Sequence, residues 1–177
     1  MKKTVDVFDY AGQICKAMKK GILLTTKADG KVNTMTIGWG KIGIEWNKPV
    51  FIAYVRETRY TKEMLEKNGE FTVNIPVGDI GGRILGYCGK VSGRDTDKIT
   101  DLNLTLVDSD VVSVPGIREL PLTLECRVIY RQEQDLTKLS QPITDRFYPV
   151  INGEGFRDYH IAYYGEIINA YILTDDM

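Results

Sequence analysis

Leu122-Thr123-Leu124-Glu125-Cys126-Arg127-Val128-Ile129-Tyr130-Arg131 is the stretch that decides the fold class. Leu122, Leu124, Cys126, Val128 and Tyr130 recur at every second position, the pattern of a strand with one buried face. Cys126 takes an inward position in that alternation and reads as a reduced core thiol. Working outward, the chain repeats the theme. Phe71-Thr72-Val73-Asn74-Ile75 alternates and is closed by Pro76. Ile22 to Thr26 is a short buried strand. Ala28-Asp29-Gly30-Lys31 forms a hairpin turn centred on Asp-Gly, and Asn33 to Trp39 returns as the partner strand. The continuous apolar run Val50 to Val55 predicts a strand buried on both faces. Val111 to Val114 and Ile161 to Leu173 add two more, with a bulge expected at Gly165.

Helices are few and short. Tyr10, Ile14, Ala17 and Met18 share one face of a helix over 9–20, which Gly21 stops in the left-handed region. Thr61 to Lys67 is a second helix, ended by Asn68-Gly69. The glycine- and charge-rich stretch from Asp79 to Asp101 holds two short helical pieces at most. Six or seven mostly antiparallel strands with few helices point to a closed or split β-barrel. With 177 residues and no linker or repeat, residues 1–177 read as a single domain able to bury its own core.

Composition removes several function classes. A formal net charge of -1, with no basic block in either half, gives no electrostatic case for nucleic acid. Three cysteines, Cys15, Cys88 and Cys126, are too scattered for a disulfide framework or a metal site. The basic start Met1-Lys2-Lys3 lacks an apolar signal region, and no apolar run is long enough for a membrane helix. A cytoplasmic protein is expected. Asp175 and Asp176 read as solvated acids.

Three constellations can carry chemistry, and each has two readings. Arg56, Arg59 and Thr61 flank a helix start, where guanidinium groups and free N–H groups suit a phosphate. A surface arginine pair beside an ordinary cap explains them equally. Asn33-Thr34-Met35-Thr36 places small polar side chains where a ligand could reach backbone N–H groups, and Trp39 could stack on a planar ring. An edge strand with a polar outer face explains that stretch too. Cys88 through Lys98 offers glycines, Ser92, Arg94 and Lys98 for a loop closing over an anion. It reads as well as a solvated loop before an Asp-capped helix. Its spacing does not match a Walker motif. His160 is the only histidine, and nothing local supplies a catalytic partner for it.

In their order along the chain, these pieces resemble the flavin reductase-like family, the flavoredoxin-type FMN-binding split-barrel proteins. Residues 33–39, Pro49 through Arg56, Arg59-Tyr60-Thr61 and Phe71 through Pro76 carry the likeness. Ser92-Gly93-Arg94-Asp95 with Asp97-Lys98, and His160 with Tyr164-Gly165-Glu166-Ile167, complete it. The resemblance implies a homodimer of Greek-key antiparallel split barrels with FMN bound non-covalently near the subunit interface. It sets Asn33, Thr34, Met35, Thr36 and Trp39 along the isoalloxazine, and Arg56, Arg59, Tyr60 and Thr61 at the ribityl phosphate. Arg94 and Lys98 then close the site, one of them offsetting negative charge on the reduced flavin. His160 falls near the open face, where a nicotinamide or another electron partner approaches. The cofactor supplies the redox chemistry, so no residue is singled out as catalytic.

Many relatives continue past the last strand with an aromatic-containing tail. Here the segment from Arg146 to Tyr159 is expected to fill that space. The function so implied is an FMN-dependent oxidoreductase taking electrons from NADH or NADPH to flavin or another small-molecule or protein acceptor. An FMN-binding electron carrier with no nicotinamide site is the alternative. A cofactor-free barrel that binds single-stranded nucleic acid would need a basic groove with interleaved aromatics, against the charge balance.

Overall fold

The computed structural model describes residues 1–78 and 80–174, so Asp175 and Asp176 lie outside the described residues, as does Asp79. In chain order the strands begin with β1 (Lys2–Thr4), β2 (Ile22–Ala28), β3 (Lys31–Ile37), β4 (Gly40–Glu45), β5 (Lys48–Arg56) and β6 (Glu70–Ile75). They continue with β7 (Leu106–Val107), β8 (Gly116–Ile117), β9 (Leu122–Glu133), β10 (Val150–Ile151), β11 (Phe156–Arg157) and β12 (His160–Leu173). The α-helices are α1 (Ala11–Met18), α2 (Tyr60–Lys67), α3 (Gly82–Lys90), α4 (Lys98–Asp101) and α5 (Gln141–Phe147).

One eight-stranded sheet organises the chain in the order β3-β2-β6-β9-β12-β5-β4, with β1 on β12 and every pairing antiparallel. The fold is the mainly β split barrel expected from the sequence. Leu122, Leu124 and Cys126 of β9 join Ile22, Leu24, Phe71, Val73 and Ile75 in the buried core. Residues Asp29 and Gly30 both have positive φ (52° and 75°), as a two-residue hairpin turn between β2 and β3 requires.

Several expectations need correction. No strand forms over 111–114; β7 and β8 pair on either side of it instead. The backbone there finds side-chain acceptors in place of a ladder. The buried Glu125 carboxylate takes the N–H groups of Asp110, Val111 and Val112, and Glu70 takes that of Ser113. Strand β5 is not buried on both faces: Phe51, Ala53 and Val55 are core, whereas Ile52 and Tyr54 are half-buried. The first helix opens as a 3-10 turn over Val7–Tyr10, capped by Asp6, before α1 begins. Strands β1 and β4 and helix α5 gave no periodic signal strong enough to read.

A bulge does occur at Gly165, but the extra residue is Ile129 on β9. Val128 pairs with Gly165 and Tyr130 with Tyr164, so one β9 residue is skipped. That slip turns Tyr130 to the outer surface, against Tyr164 (ring centroids 5.0 Å apart), and breaks the inward alternation expected of it. Gly165 is required here: a Cβ would lie 2.4 Å from the Phe71 ring.

Candidate functional site

Strands β3 and β4 end the hydrogen-bonded path of the sheet, so the barrel is split where Gly38 and Trp39 join them. Strand β3 therefore has one edge free of sheet partners. The Lys98 ammonium donates to the Thr34 carbonyl across that edge (2.8 Å). Alternate residues share a direction, so the backbone groups of Thr34 and Thr36 face the opening.

Two adjoining cavities lie along this edge. One, of about 170 Å³, is walled by Asn33, Met35, Thr36, Arg59, Thr61 and the 88–94 loop. The other, of about 210 Å³, lies between Met35, Thr36, Trp39, Tyr54, Arg56, Arg59 and His160. Met35, Thr36 and Arg59 belong to both walls, making one cleft at the lower end of the usual range for small-ligand sites. A larger cavity of about 830 Å³ opens between α1 and residues 76–86, but its Asp9 and Lys16 are exposed and it holds no buried charge.

The first cavity is built for an anion. Helix α2 starts at Tyr60 with no side-chain cap, so that the Lys62 N–H turns back to the Arg59 carbonyl while those of Tyr60 and Thr61 stand at the positive dipole end without a side-chain acceptor. Arg59 precedes it, exposed and lining both cavities. Thr61 is buried, and its Oγ1 accepts a hydrogen bond from Asn33 Nδ2 (3.2 Å). The loop closes tightly onto Asn33: a Cβ on Gly93 would lie 2.0 Å from Asn33 Oδ1. Lys31 Nζ donates to the Gly93 carbonyl (2.6 Å) and lies 5.1 Å from the Tyr60 ring centre.

Lys98 is only 4% exposed. Its Nζ donates to the carbonyls of Thr34 (2.8 Å) and Cys88 (3.1 Å), and no carboxylate pairs with it among the described residues. Burial lowers its pKa, with the neighbouring Arg59 charge pushing the same way. Burial also raises the Cys88 thiol to about 11, keeping it protonated at neutral pH. A buried ammonium with one N–H left and a cleft beside it calls for an anionic or strongly accepting ligand.

The second cavity is aromatic. Trp39, 41% exposed, meets the Phe147 ring edge-on at 5.2 Å and tilts against His160 at 4.8 Å. His160 is buried, and its Nδ1 lies 2.9 Å from Tyr148 Oη. Burial, with Arg56 and Arg59 nearby, lowers its pKa to about 4, so the ring is neutral at pH 7.

The cleft thus brings together Asn33, Met35, Thr36, Trp39, Arg59, Tyr60, Thr61, Arg94, Lys98 and His160. Two expected residues behave differently. The Thr34 side chain is buried and bonded to Thr25 and the Leu24 carbonyl, so only its backbone reaches the opening. The Arg56 guanidinium is committed to the Asp158 and Phe147 carbonyls (2.6 and 3.0 Å), bracing the 147–158 segment. Arg94 rims the cleft but spends its charge on Glu63 and the Thr58 carbonyl. Tyr54, two residues before Arg56 on β5, lines the cleft without having been singled out in the sequence, and Phe147 and Tyr148 bring the 146–159 segment against Trp39 and His160.

A split barrel with an anion-accepting, tryptophan-walled cleft is the class that fold and site define. Residues 17–176 match the family model for the flavin reductase like domain, and the chain belongs to that family. It is 30% identical over 128 residues to an uncharacterised protein of Archaeoglobus fulgidus, covering 72% of this chain and 70% of that one. Among solved structures it resembles flavoredoxin from Methanosarcina acetivorans, with a TM-score of 0.65 and 29% identity over 89% of this chain and 70% of that one. Flavoredoxin of Desulfovibrio vulgaris shares the fold at a TM-score of 0.66 and 24% identity, covering 86% of this chain and 69% of that one.

Proposed function

We propose that residues 1–177 form a single domain that binds FMN non-covalently in this cleft. It would act as an oxidoreductase, passing electrons from NADH or NADPH to flavin or another acceptor. The observation that carries this reading is the buried Lys98 ammonium, which lacks a carboxylate and faces a cavity beside Arg59 and an uncapped helix start. A ligand with an anionic end and a planar polar ring fits that charge, the free β3 edge and the Trp39 wall. FMN is such a ligand.

When bound, FMN supplies the redox chemistry. Arg59 and the first-turn N–H groups of α2 would hold its phosphate, with Thr61 donating its hydroxyl proton. Asn33, Met35, Thr36 and the free β3 backbone would line the ring, and Lys98 would offset negative charge on it. Gly93 seats the loop that excludes water from this end. Arg56 acts at one remove, holding the 147–158 segment that carries Phe147 over Trp39.

The chain is proposed to work as a cytoplasmic homodimer. Trp46, Ile129 and Tyr130 are exposed together, with Trp46 packed edge-on to Tyr130 at 6.0 Å, an apolar patch of the kind that second copies cover. Sedimentation would show a dimer, and a monomer at micromolar concentration would remove that part of the reading.

Purified protein mixed with FMN should turn yellow and quench free flavin fluorescence. A preparation that gains no flavin spectrum overturns the proposal. Anaerobic NADH or NADPH should then bleach it; bleaching by neither points to an electron carrier reduced by a partner protein. Arg59→Ala should raise the FMN dissociation constant about tenfold or more, the weight of one charge-assisted hydrogen bond. Lys67→Ala, which loses only an exposed pair with Asp29, should leave it unchanged.

A further inference from the structure

His160 is the one imidazole in the cleft, and what it offers a ligand depends on which nitrogen carries its proton. Three groups settle that. Tyr148, buried with 2% exposure, places its Oη between His160 Nδ1 at 2.9 Å and Gln134 Oε1 at 2.6 Å. The amide oxygen of Gln134 only accepts, so the Tyr148 hydroxyl is the donor in that pair. The tyrosine proton therefore points at Gln134, and the tyrosine oxygen is left as an acceptor toward the imidazole. The Gln134 main chain is tied to the ring's own residue, its backbone N–H donating to the His160 carbonyl (3.0 Å).

We propose that Tyr148 and Gln134 are positioning residues that hold His160 as its Nδ1–H tautomer, so that Nε2 meets the ligand as a hydrogen-bond acceptor. Nε2 has no partner among the described residues and, unlike the sealed Tyr171 hydroxyl, stays open to the cleft. The charged and titratable groups around the ring are Arg56, Arg59, Asp158 and Tyr54; the two arginines oppose its protonation and Asp158 favours it. Arg56 also ties the Asp158 carbonyl, fixing that element against the ring's own strand. A neutral ring with an unprotonated Nε2 selects ligands carrying an N–H or O–H at that wall and turns away an acceptor-only group. The assignment of that ligand as a flavin or nicotinamide rests on the function proposed above; the tautomer does not.

His160 is the only histidine in the chain, so a two-bond 1H–15N correlation of untagged, FMN-free protein reports this ring alone. At pH 7 the proton is expected on Nδ1. Tyr148→Phe removes its acceptor, and Gln134→Leu frees the tyrosine hydroxyl to donate to Nδ1; both should move the proton to Nε2. Amide spectra of each variant establish that the fold survives, and the half-buried Gln134 carries the test if Tyr148→Phe does not fold. An Nε2–H ring in the unaltered chain, or a ring unchanged in a folded variant, overturns the proposal. FMN titration of the same proteins separates the two readings. Tyr148→Phe should weaken FMN about tenfold, and equal affinity with a switched tautomer overturns the acceptor role. A chain that never binds FMN overturns the functional reading and leaves the tautomer result standing.

Discussion

Lys98→Met should separate ligand affinity from stability. In the ligand-free chain the ammonium is desolvated without a counter-charge, which is worth several kcal/mol against folding. Its two bonds to the Thr34 and Cys88 carbonyls return about 1.5–3 kcal/mol each. These opposing effects nearly cancel, so a methionine of similar length should shift the stability of the empty chain by no more than about 2 kcal/mol. FMN affinity should behave differently. The variant loses one charge-assisted contact of about 1.5–3 kcal/mol, a fall of roughly 10- to 100-fold.

Urea denaturation of the flavin-free proteins and FMN titration by fluorescence quenching read the two quantities. The pH dependence adds a sign. Because burial lowers the Lys98 pKa below its ordinary 10.5, the folded state binds fewer protons than the unfolded one in the window beneath that value. Its contribution to stability therefore rises with pH there, and Lys98→Met should flatten that rise. Destabilisation beyond about 3 kcal/mol with unchanged FMN affinity would refute the reasoning and make Lys98 a strut for the β3 edge.

Other expected outcomes test separate parts of the structure. Gly165→Ala forces a methyl group against the Phe71 ring at 2.4 Å and should cost about 1–3 kcal/mol in a urea melt. Gly93→Ala would crowd the buried Asn33 Oδ1 at 2.0 Å and should cost about 1–3 kcal/mol in the same melt while lowering FMN affinity about tenfold. Cys15 is exposed whereas Cys88 and Cys126 are buried with raised pKa values, so a thiol reagent at neutral pH should label one cysteine before unfolding and three after.

The barrel was largely legible because its strands announce themselves by period. Leu122, Leu124 and Cys126 alternate into the core as read, and Asp29-Gly30 makes the turn that sets the β2–β3 register. Tyr130 departs from the period because a bulge is a pairing event: Ile129 is left unpaired between the Val128–Gly165 and Tyr130–Tyr164 pairs, and nothing within β9 marks the slip. Residues 111–114 carry strand-forming valines, yet the amides of Val111 and Val112 go to Glu125 and that of Ser113 to Glu70, partners that sequence periodicity does not show. The anion-accepting half of the cleft could be read from local order, since Arg59 and Thr61 sit at one helix start. The aromatic half could be read only in its parts, since Trp39, His160 and the 146–159 segment stood out in the sequence but their contacts did not. Phe147 and Tyr148 reach Trp39 and His160 only because Arg56, at the end of β5, and Arg157, next to β12, tie down the intervening carbonyls.

An edge strand that must hold a flat ligand has a mechanical problem, because it lacks a neighbour on the side where the ligand sits. The chain solves it from behind. Thr25 Oγ1 lies 3.0 Å from Thr34 Oγ1 and donates to Asn74 Oδ1 (2.8 Å), and Asn74 Nδ2 donates to Thr123 (3.2 Å). Thr72 extends the ladder to the Pro115 carbonyl (2.8 Å). Every member is buried, so β3, β2, β6 and β9 are cross-linked in register by side chains as well as by backbone. In a low-dielectric interior such a satisfied network is stiff, and breaking one member strands the others. The Thr34 hydroxyl that seemed destined for the ligand thus serves the wall by facing away from it. It fixes the carbonyl that Lys98 grips, and it lets the open edge present backbone groups in a set geometry before any ligand arrives.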